Sequence, residues 1–303
     1  MSRYPGVFFR GMAMGAADVV PGVSGGTLAL ITGIYEELID TLGGIGFHLI
    51  GIWRRQGLVA AWRAGNLTFL STLLAGILTS IVLLASLITW LMQHYPVPLW
   101  AFFCGLIGAS LYPVLKPIRR WDGNIAMTVM GGALVAAWIT SLPGLGAGGT
   151  GAAVFFFSGA VAICAMILPG ISGSFILLLL GMYAPVLAAV HDRQMMLILA
   201  FMAGCAVGLL SFVHLLKFLL HRYHDLMMAL LAGFMGGSLI KLWPWRVAEP
   251  GSLVEHPVSP AVYAMHHGAS AMVWPALGAL LLGVAIVVLL ARVQAVHNRS
   301  HAG

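Results

Sequence analysis

Pro21-Gly22-Val23-Ser24-Gly25-Gly26-Thr27 recurs 148 residues later as Pro169-Gly170-Ile171-Ser172-Gly173-Ser174-Phe175. The echo runs on through Gly33-Ile34-Tyr35 and Gly181-Met182-Tyr183 at the same spacing. A second echo, 128 residues apart, relates Gly105-Leu106-Ile107-Gly108-Ala109-Ser110-Leu111 to Gly233-Phe234-Met235-Gly236-Gly237-Ser238-Leu239. One Gly/Ser coincidence is cheap in a glycine-rich chain. Two in the same order point to a duplicated unit, 1–141 and 150–293. Each Pro-Gly-x-Ser-Gly run interrupts an apolar stretch near its middle, Val7–Ile39 in the first copy and Ala152–Val190 in the second.

The surroundings decide what such a break means. The chain has 303 residues, of which 60% are hydrophobic and 8% charged, and its mean hydropathy is +0.99. Soluble domains carry roughly 25% charged residues, so this composition cannot cover a water-facing surface. Six further stretches are long and apolar enough to span a bilayer: 68–92, 97–115, 125–141, 195–218, 226–243 and 274–291. Each copy therefore reads as one broken segment followed by three spans. The fold expected is an all-α polytopic membrane protein built of two repeats. The net charge of +6 sits in short loops rather than in an aromatic-basic stripe, which excludes a nucleic-acid surface. The three cysteines lie in apolar stretches without paired spacing, so neither a disulfide framework nor a zinc site is expected. No cleavable signal peptide is read at the N-terminus.

Lysine and arginine placement sets the orientation. If both broken segments return to the side they entered, the inner loops hold Arg3, Arg10, Arg54, Arg55, Arg63, Lys116, Arg119, Arg120, Lys217, Arg222, Arg292 and Arg299. The outside then holds only Arg193, Lys241 and Arg246, a division of 12 against 3. If both segments cross instead, the better division is 9 against 6. The re-entrant reading gives three crossings per copy, an odd number, so the repeats are inverted and both termini are cytoplasmic. The long inner loop 42–66, with Trp53-Arg54-Arg55 and Trp62-Arg63, suits an amphipathic element at the interface.

Helix-breaking Pro21, Gly22, Pro169 and Gly170 would leave backbone groups unpaired, which hydrocarbon does not tolerate unless the backbone is buried in protein or lines a wet cavity. Paired broken segments in matching positions mark the binding site of a transporter. A half-helix beginning near Gly26 or Ser174 presents free N–H groups and the positive end of its dipole. Ser24, Gly25, Gly26 and Thr27, with Ser172, Gly173 and Ser174, are thus the expected anion-binding residues. The competing reading is that these small residues merely let helices pack closely. For Gly105/Gly108 and Gly233/Gly236 packing is the preferred reading.

Asp18 is the one acid deep in an apolar run, and Met166 stands at its counterpart position. It has three readings: an ion pair with Arg10, a cap on local N–H groups, or a coupling proton site. Arg10 at the inner mouth, Arg193 and Lys241 outside, and Glu36 after Tyr35 are candidates for coupling or gating, with simple snorkelling as the alternative. His214, His221 and His224 beside Arg222 read as a basic interfacial face; no metal site and no cofactor are expected. No serine-histidine-acid arrangement stands out, so the chain reads as a transporter and not an enzyme.

At Met14-Gly15-Ala16-Ala17-Asp18-Val19-Val20-Pro21-Gly22-Val23-Ser24-Gly25-Gly26-Thr27 and Gly33-Ile34-Tyr35-Glu36, and again at Pro169-Gly170-Ile171-Ser172-Gly173-Ser174, the sequence closely resembles the PopT family of polyprenyl-phosphate transporters, long a domain of unknown function. The resemblance covers nearly the whole chain. It implies a protein of the bacterial cytoplasmic (inner) membrane that returns undecaprenyl phosphate, the lipid carrier of cell-wall synthesis, from the outer to the inner leaflet. Two other classes stay open: a small-anion channel or exchanger using the same helix ends, and a membrane phosphatase or transferase acting on a prenyl phosphate. Self-association as a homo-oligomer is neither required nor excluded.

Overall fold

The computed structural model describes residues 4–20, 23–142, 151–248, 255–268 and 270–300. These form fifteen helices and one short antiparallel β-hairpin. In the first copy, α1 (Tyr4–Asp18), α2 (Gly25–Ile31) and α3 (Tyr35–Gly43) make up the broken segment. Next come α4 (Phe47–Gln56), α5 (Leu58–Ala64), α6 (Leu67–His94), α7 (Pro96–Leu115) and α8 (Gly123–Ser141). The second copy repeats the plan with α9 (Ala152–Ile167), α10 (Gly173–Leu179), α11 (Tyr183–His191), α12 (Met195–Arg222) and α13 (His224–Leu242). The hairpin β1 (Arg246–Ala248) and β2 (Glu255–Pro257), α14 (Pro260–His267) and α15 (Val273–Ser300) complete it.

Six of these helices, α6, α7, α8, α12, α13 and α15, are long and apolar enough to cross a bilayer. They coincide with the six uninterrupted apolar stretches. Their exposed faces carry residues such as Val82, Trp138, Phe218 and Trp274, at 78%, 65%, 60% and 82% exposure, which only a lipid surround stabilises. α13 is the enclosed member, with 61% of its apolar window buried against 17% for α8, α12 and α15. The chain is a multi-pass membrane protein.

The broken segments are short for a physical reason. At about 1.5 Å per residue, the 7-residue α2 and α10 reach only about 10 Å, a third of a hydrocarbon core of about 30 Å. Each ends in a glycine-based Schellman cap. Gly33 and Gly181 take φ of +73° and +67°. The next N–H, of Ile34 or Met182, donates back to Ala29 O or Leu177 O at 2.9 and 2.8 Å. A side chain at either glycine meets the left-handed penalty, which is why the chain turns there and why α11 leaves α10 at 103°.

The loop expected over 42–66 is folded as α4 and α5. Gly57 separates them, its φ of +85° forbidding one continuous helix. The arginines and tryptophans of the two helices remain outside the core, with Trp53 and Trp62 exposed. Asn66 closes the element, its Nδ2 donating to Glu37 Oε1 at 2.9 Å and to Thr41 Oγ1 at 3.1 Å.

The chain divides into two compact units, each drawing on both copies. The first holds α1–α5, α9–α12 and most of α6; the second holds α7, α8, α14, α15, the hairpin and most of α13. Within each unit one packing arrangement occurs twice. In the first, Gly11 of α1 lies against Leu73 O of α6, and Gly76 of α6 against Phe8 O of α1. At the matching positions, Gly159 of α9 lies against Phe201 O of α12, and Gly204 of α12 against Phe156 O of α9. In the second unit the partners cross between copies. Gly105 of α7 meets Leu280 O of α15, while Gly233 of α13 meets Val129 O of α8. Helices come together through small residues where no hydrophobic effect can drive them. Packing accounts for Gly105 and Gly233 only: a Cβ at Gly108 would meet nothing within 4 Å, and one at Gly236 only Leu111 Cδ1, at 4.0 Å.

Candidate functional site

The two Pro-Gly-x-Ser-Gly breaks, far apart in sequence, meet inside the first unit. Ser24 is the N-cap of α2, with φ −115° and ψ 132°. Its Oγ accepts from Gly26 N–H at 3.2 Å and donates to Met166 O, at the end of α9, at 3.1 Å. Thr27 Oγ1 accepts from Gly170 N–H at 2.9 Å. Tyr35 at the head of α3 donates its hydroxyl proton to Ile167 O at 3.2 Å. Gly26 is there because the chain of the second break passes against it: a Cβ would stand 2.6 Å from Ile167 O. Ser24, Thr27 and Tyr35 are at most 2% exposed. Side chains of the first break thus satisfy backbone groups that the second leaves open, as buried polar backbone requires.

The two halves of the site differ. On the first, Asp18 turns back from the end of α1 and its Oδ1 accepts from Gly25 N–H at 2.7 Å. A carboxylate already sits on the positive end of α2, a favourable placement for charge at a helix N-terminus. On the second, Ser172 caps α10 without any side-chain bond to its backbone. Its hydroxyl instead pairs with that of Ser174 at 2.8 Å. Two hydroxyls share that one bond, so one hydroxyl proton is left for another acceptor. Ser172 and Gly173 are buried while Ser174 is exposed. Gly173 packs on α9, where a Cβ would lie 2.8 Å from Ala162 O.

The remaining sequence candidates are placed as follows. Pro21 and Gly22 lie outside the described residues. Pro169 and Gly170 form the turn between α9 and α10, Gly170 with φ +85°. Arg10, two turns before Asp18 on α1, is half-buried and forms no ion pair among the described residues. Glu36 is exposed and its Oε1 lies 3.1 Å from His224 Nε2. Arg193 is exposed in the left-handed turn after α11, φ +54°. Lys241 belongs to the second unit, near the end of α13, where its backbone carbonyl accepts from Arg246 Nη1 at 2.6 Å. Tyr35 and the carbonyls of Met166 and Ile167 were missed. Tyr35 is visible in the sequence echo, but nothing in the sequence says that its hydroxyl reaches the other break.

The sequence has relatives. A polyprenyl-phosphate transporter of Vibrio cholerae (serotype O1, strain N16961) is 50% identical over 244 residues, 80% of this chain and 79% of that protein. A polyprenyl-phosphate transporter of Staphylococcus aureus (strain NCTC 8325) is 32% identical over 254 residues, 78% of this chain and 84% of that one. No solved structure matches the chain. The VCA0040-like family profile, described as undecaprenyl phosphate translocase-like, matches residues 14–256. That match takes in both breaks and five of the six spans, and on it the chain belongs to the undecaprenyl phosphate translocase-like family.

Proposed function

We propose that this protein carries polyprenyl phosphate, in the bacterial case undecaprenyl phosphate, from the outer to the inner leaflet of the cytoplasmic membrane. The headgroup passes the paired breaks while the prenyl chain stays in lipid. The observation that carries this reading is the meeting of the two Pro-Gly-x-Ser-Gly breaks in one unit, where Ser24 and Thr27 of the first bond backbone groups of the second and the Ser172–Ser174 hydroxyl pair lies in the second. The names of the two relatives support the cargo. A phosphate monoester carries about −1.5 to −2 charges near neutral pH and does not cross hydrocarbon unaided. It needs donors at depth, and broken helices supply them without permanent cations that would trap it.

In this scheme the copies are inverted, each broken segment is re-entrant, and both termini are cytoplasmic. The anion-binding residues are Ser24, Gly25, Gly26 and Thr27 with Ser172, Gly173 and Ser174. The Ser172–Ser174 pair offers the first contact, because its donors are not fully used. Asp18 holds the place of the anion at α2 until the headgroup displaces it from Gly25. Arg10 on one side and Arg193 or Lys241 on the other receive the headgroup at the mouths. Glu36 serves the inner side.

The test is purified protein in liposomes with undecaprenyl phosphate in the outer leaflet, read by a reagent confined to one leaflet. Protein-dependent loss of lipid from the outer leaflet is expected, and it is abolished in Gly173→Val protein that still inserts. Chloride flux without lipid movement would overturn the assignment in favour of an anion channel. Release of inorganic phosphate would overturn it in favour of a phosphatase.

A further inference from the structure

Away from the breaks, one face of α12 combines cations with an apolar surface. His214, Lys217, Phe218, His221 and Arg222 line an open cavity of about 480 Å³. Residues 214, 217 and 221 follow helical i, i+3, i+7 spacing and share a face, with 218 and 222 beside them. The 28 residues of α12 make a rod of about 42 Å, roughly 12 Å or eight residues longer than the hydrocarbon core. The cluster takes up the last nine residues of that helix, His214 to Arg222, at its C-terminal end.

The cationic donors of this face are Lys217 and Arg222. His214 Nδ1 already donates to Leu210 O at 2.6 Å. Lys217 Nζ stands 3.2 Å from Asp40 Oδ1, an ion pair without hydrogen-bond alignment, on side chains 39% and 42% exposed. Such exposed pairs hold weakly, and a phosphate oxygen is a ready substitute. The C-terminal end of a helix repels anions, so a phosphate here requires formal cations, and they are present. From the cluster an exposed apolar stripe, Phe218, Leu215, Leu210 and Val207, continues along α12 away from its end. A soluble anion has no use for that stripe, whereas a lipid chain does. At the matching positions of α6, 128 residues earlier, stand Ser86, Thr89, Trp90, Gln93 and His94, so the cation cluster exists on one copy only.

We infer that this face of α12 is a docking site for the phosphate-monoester headgroup of a membrane prenyl lipid, distinct from the breaks. It holds the lipid on one side of the bilayer, before or after passage. The inference rests on the reading that the cargo is a prenyl phosphate.

The experiment places photoreactive benzoylphenylalanine at position 218 of the full chain in lipid nanodiscs, with radiolabelled undecaprenyl phosphate as probe. Label is expected on the protein and falls about tenfold in a Lys217→Gln/Arg222→Gln variant, as the loss of charge-assisted hydrogen bonds requires. Unlabelled prenyl phosphate competes; phosphatidylglycerol and inorganic phosphate do not. Undiminished labelling in the double variant overturns the site. Equal competition by inorganic phosphate, or by phosphatidylglycerol, overturns its assignment to a prenyl phosphate. Gly173→Val is expected to stop translocation in liposomes and keep the label. Protein with the probe at 218 and no other change that labels but moves no lipid overturns the transport reading and leaves this site standing, and the same protein moving lipid without labelling does the reverse.

Discussion

At the scale of single residues, the site is a set of side chains from one break satisfying backbone from the other. Thr27→Val keeps the shape and removes the acceptor for Gly170 N–H, leaving a buried donor unpaired at about 1–3 kcal/mol. The variant is expected to melt at lower temperature in detergent and to transport less; an unchanged melting point would show that the bond is not made. Asp18 separates two roles. Asp18→Asn retains an oxygen for Gly25 N–H and removes the charge, whereas Asp18→Ala removes both, at about 1 kcal/mol for a lost helix cap. If the carboxylate holds the place of the headgroup, the Asn variant binds prenyl phosphate more tightly than wild type and releases it more slowly. Equal binding in equilibrium measurements would reduce Asp18 to a cap. The sequence singled out Asp18 as an acid in an apolar run but left three roles open. Choosing among them depends on residue 18 lying beside the N–H of residue 25, and no periodicity encodes that approach.

At the scale of elements, the spans were legible because each is a long uninterrupted apolar run that only a helix can carry through lipid. The breaks were legible because proline and glycine cannot continue one. The amphipathic character of 42–66 was legible, but its division into α4 and α5 was not, since each is short and Gly57 cuts the pattern between them. Partner choice was not legible either: glycine spacing looks alike at Gly105 and Gly108, but only the first faces a neighbouring backbone. That contrast is testable. Gly204→Val drives a side chain into the Phe156 carbonyl and is expected to lower stability by about 1–3 kcal/mol or more, as overpacking does. Gly108→Ala meets open space and is expected to raise the melting temperature slightly, since alanine is the better helix former by up to about 1 kcal/mol. Gly181→Ala acts through backbone alone. With φ at +67° it costs about 1–2 kcal/mol, and it loosens the bend between α10 and α11 beside the second break.

At the scale of the whole molecule, the repeat constrains how transport is organised. The two copies contribute equivalent helices to each compact unit: the broken segments and first spans to one, the second and third spans to the other. Under the proposed re-entrant topology each copy makes three crossings, and the second copy then enters from the side opposite to the first. In that proposal inversion aims the two breaks at one depth from opposite faces, which would put a headgroup released by one within reach of the other. The cation placement agrees, with 12 of 15 lysines and arginines on one side under that topology. Arg55, in α4, and His256, in β2, fall on opposite sides in this arrangement. With Cys104, Cys164 and Cys205 replaced, single cysteines at 55 and 256 are expected to react with an impermeant maleimide from opposite faces of intact cells and inverted vesicles. Labelling of both from one face requires an even number of crossings between them. That would make one broken segment a full span, with its half-helices stacked rather than folded back. The donors of the two breaks would then no longer approach from opposite leaflets, and the shared anion site would lose its geometric basis.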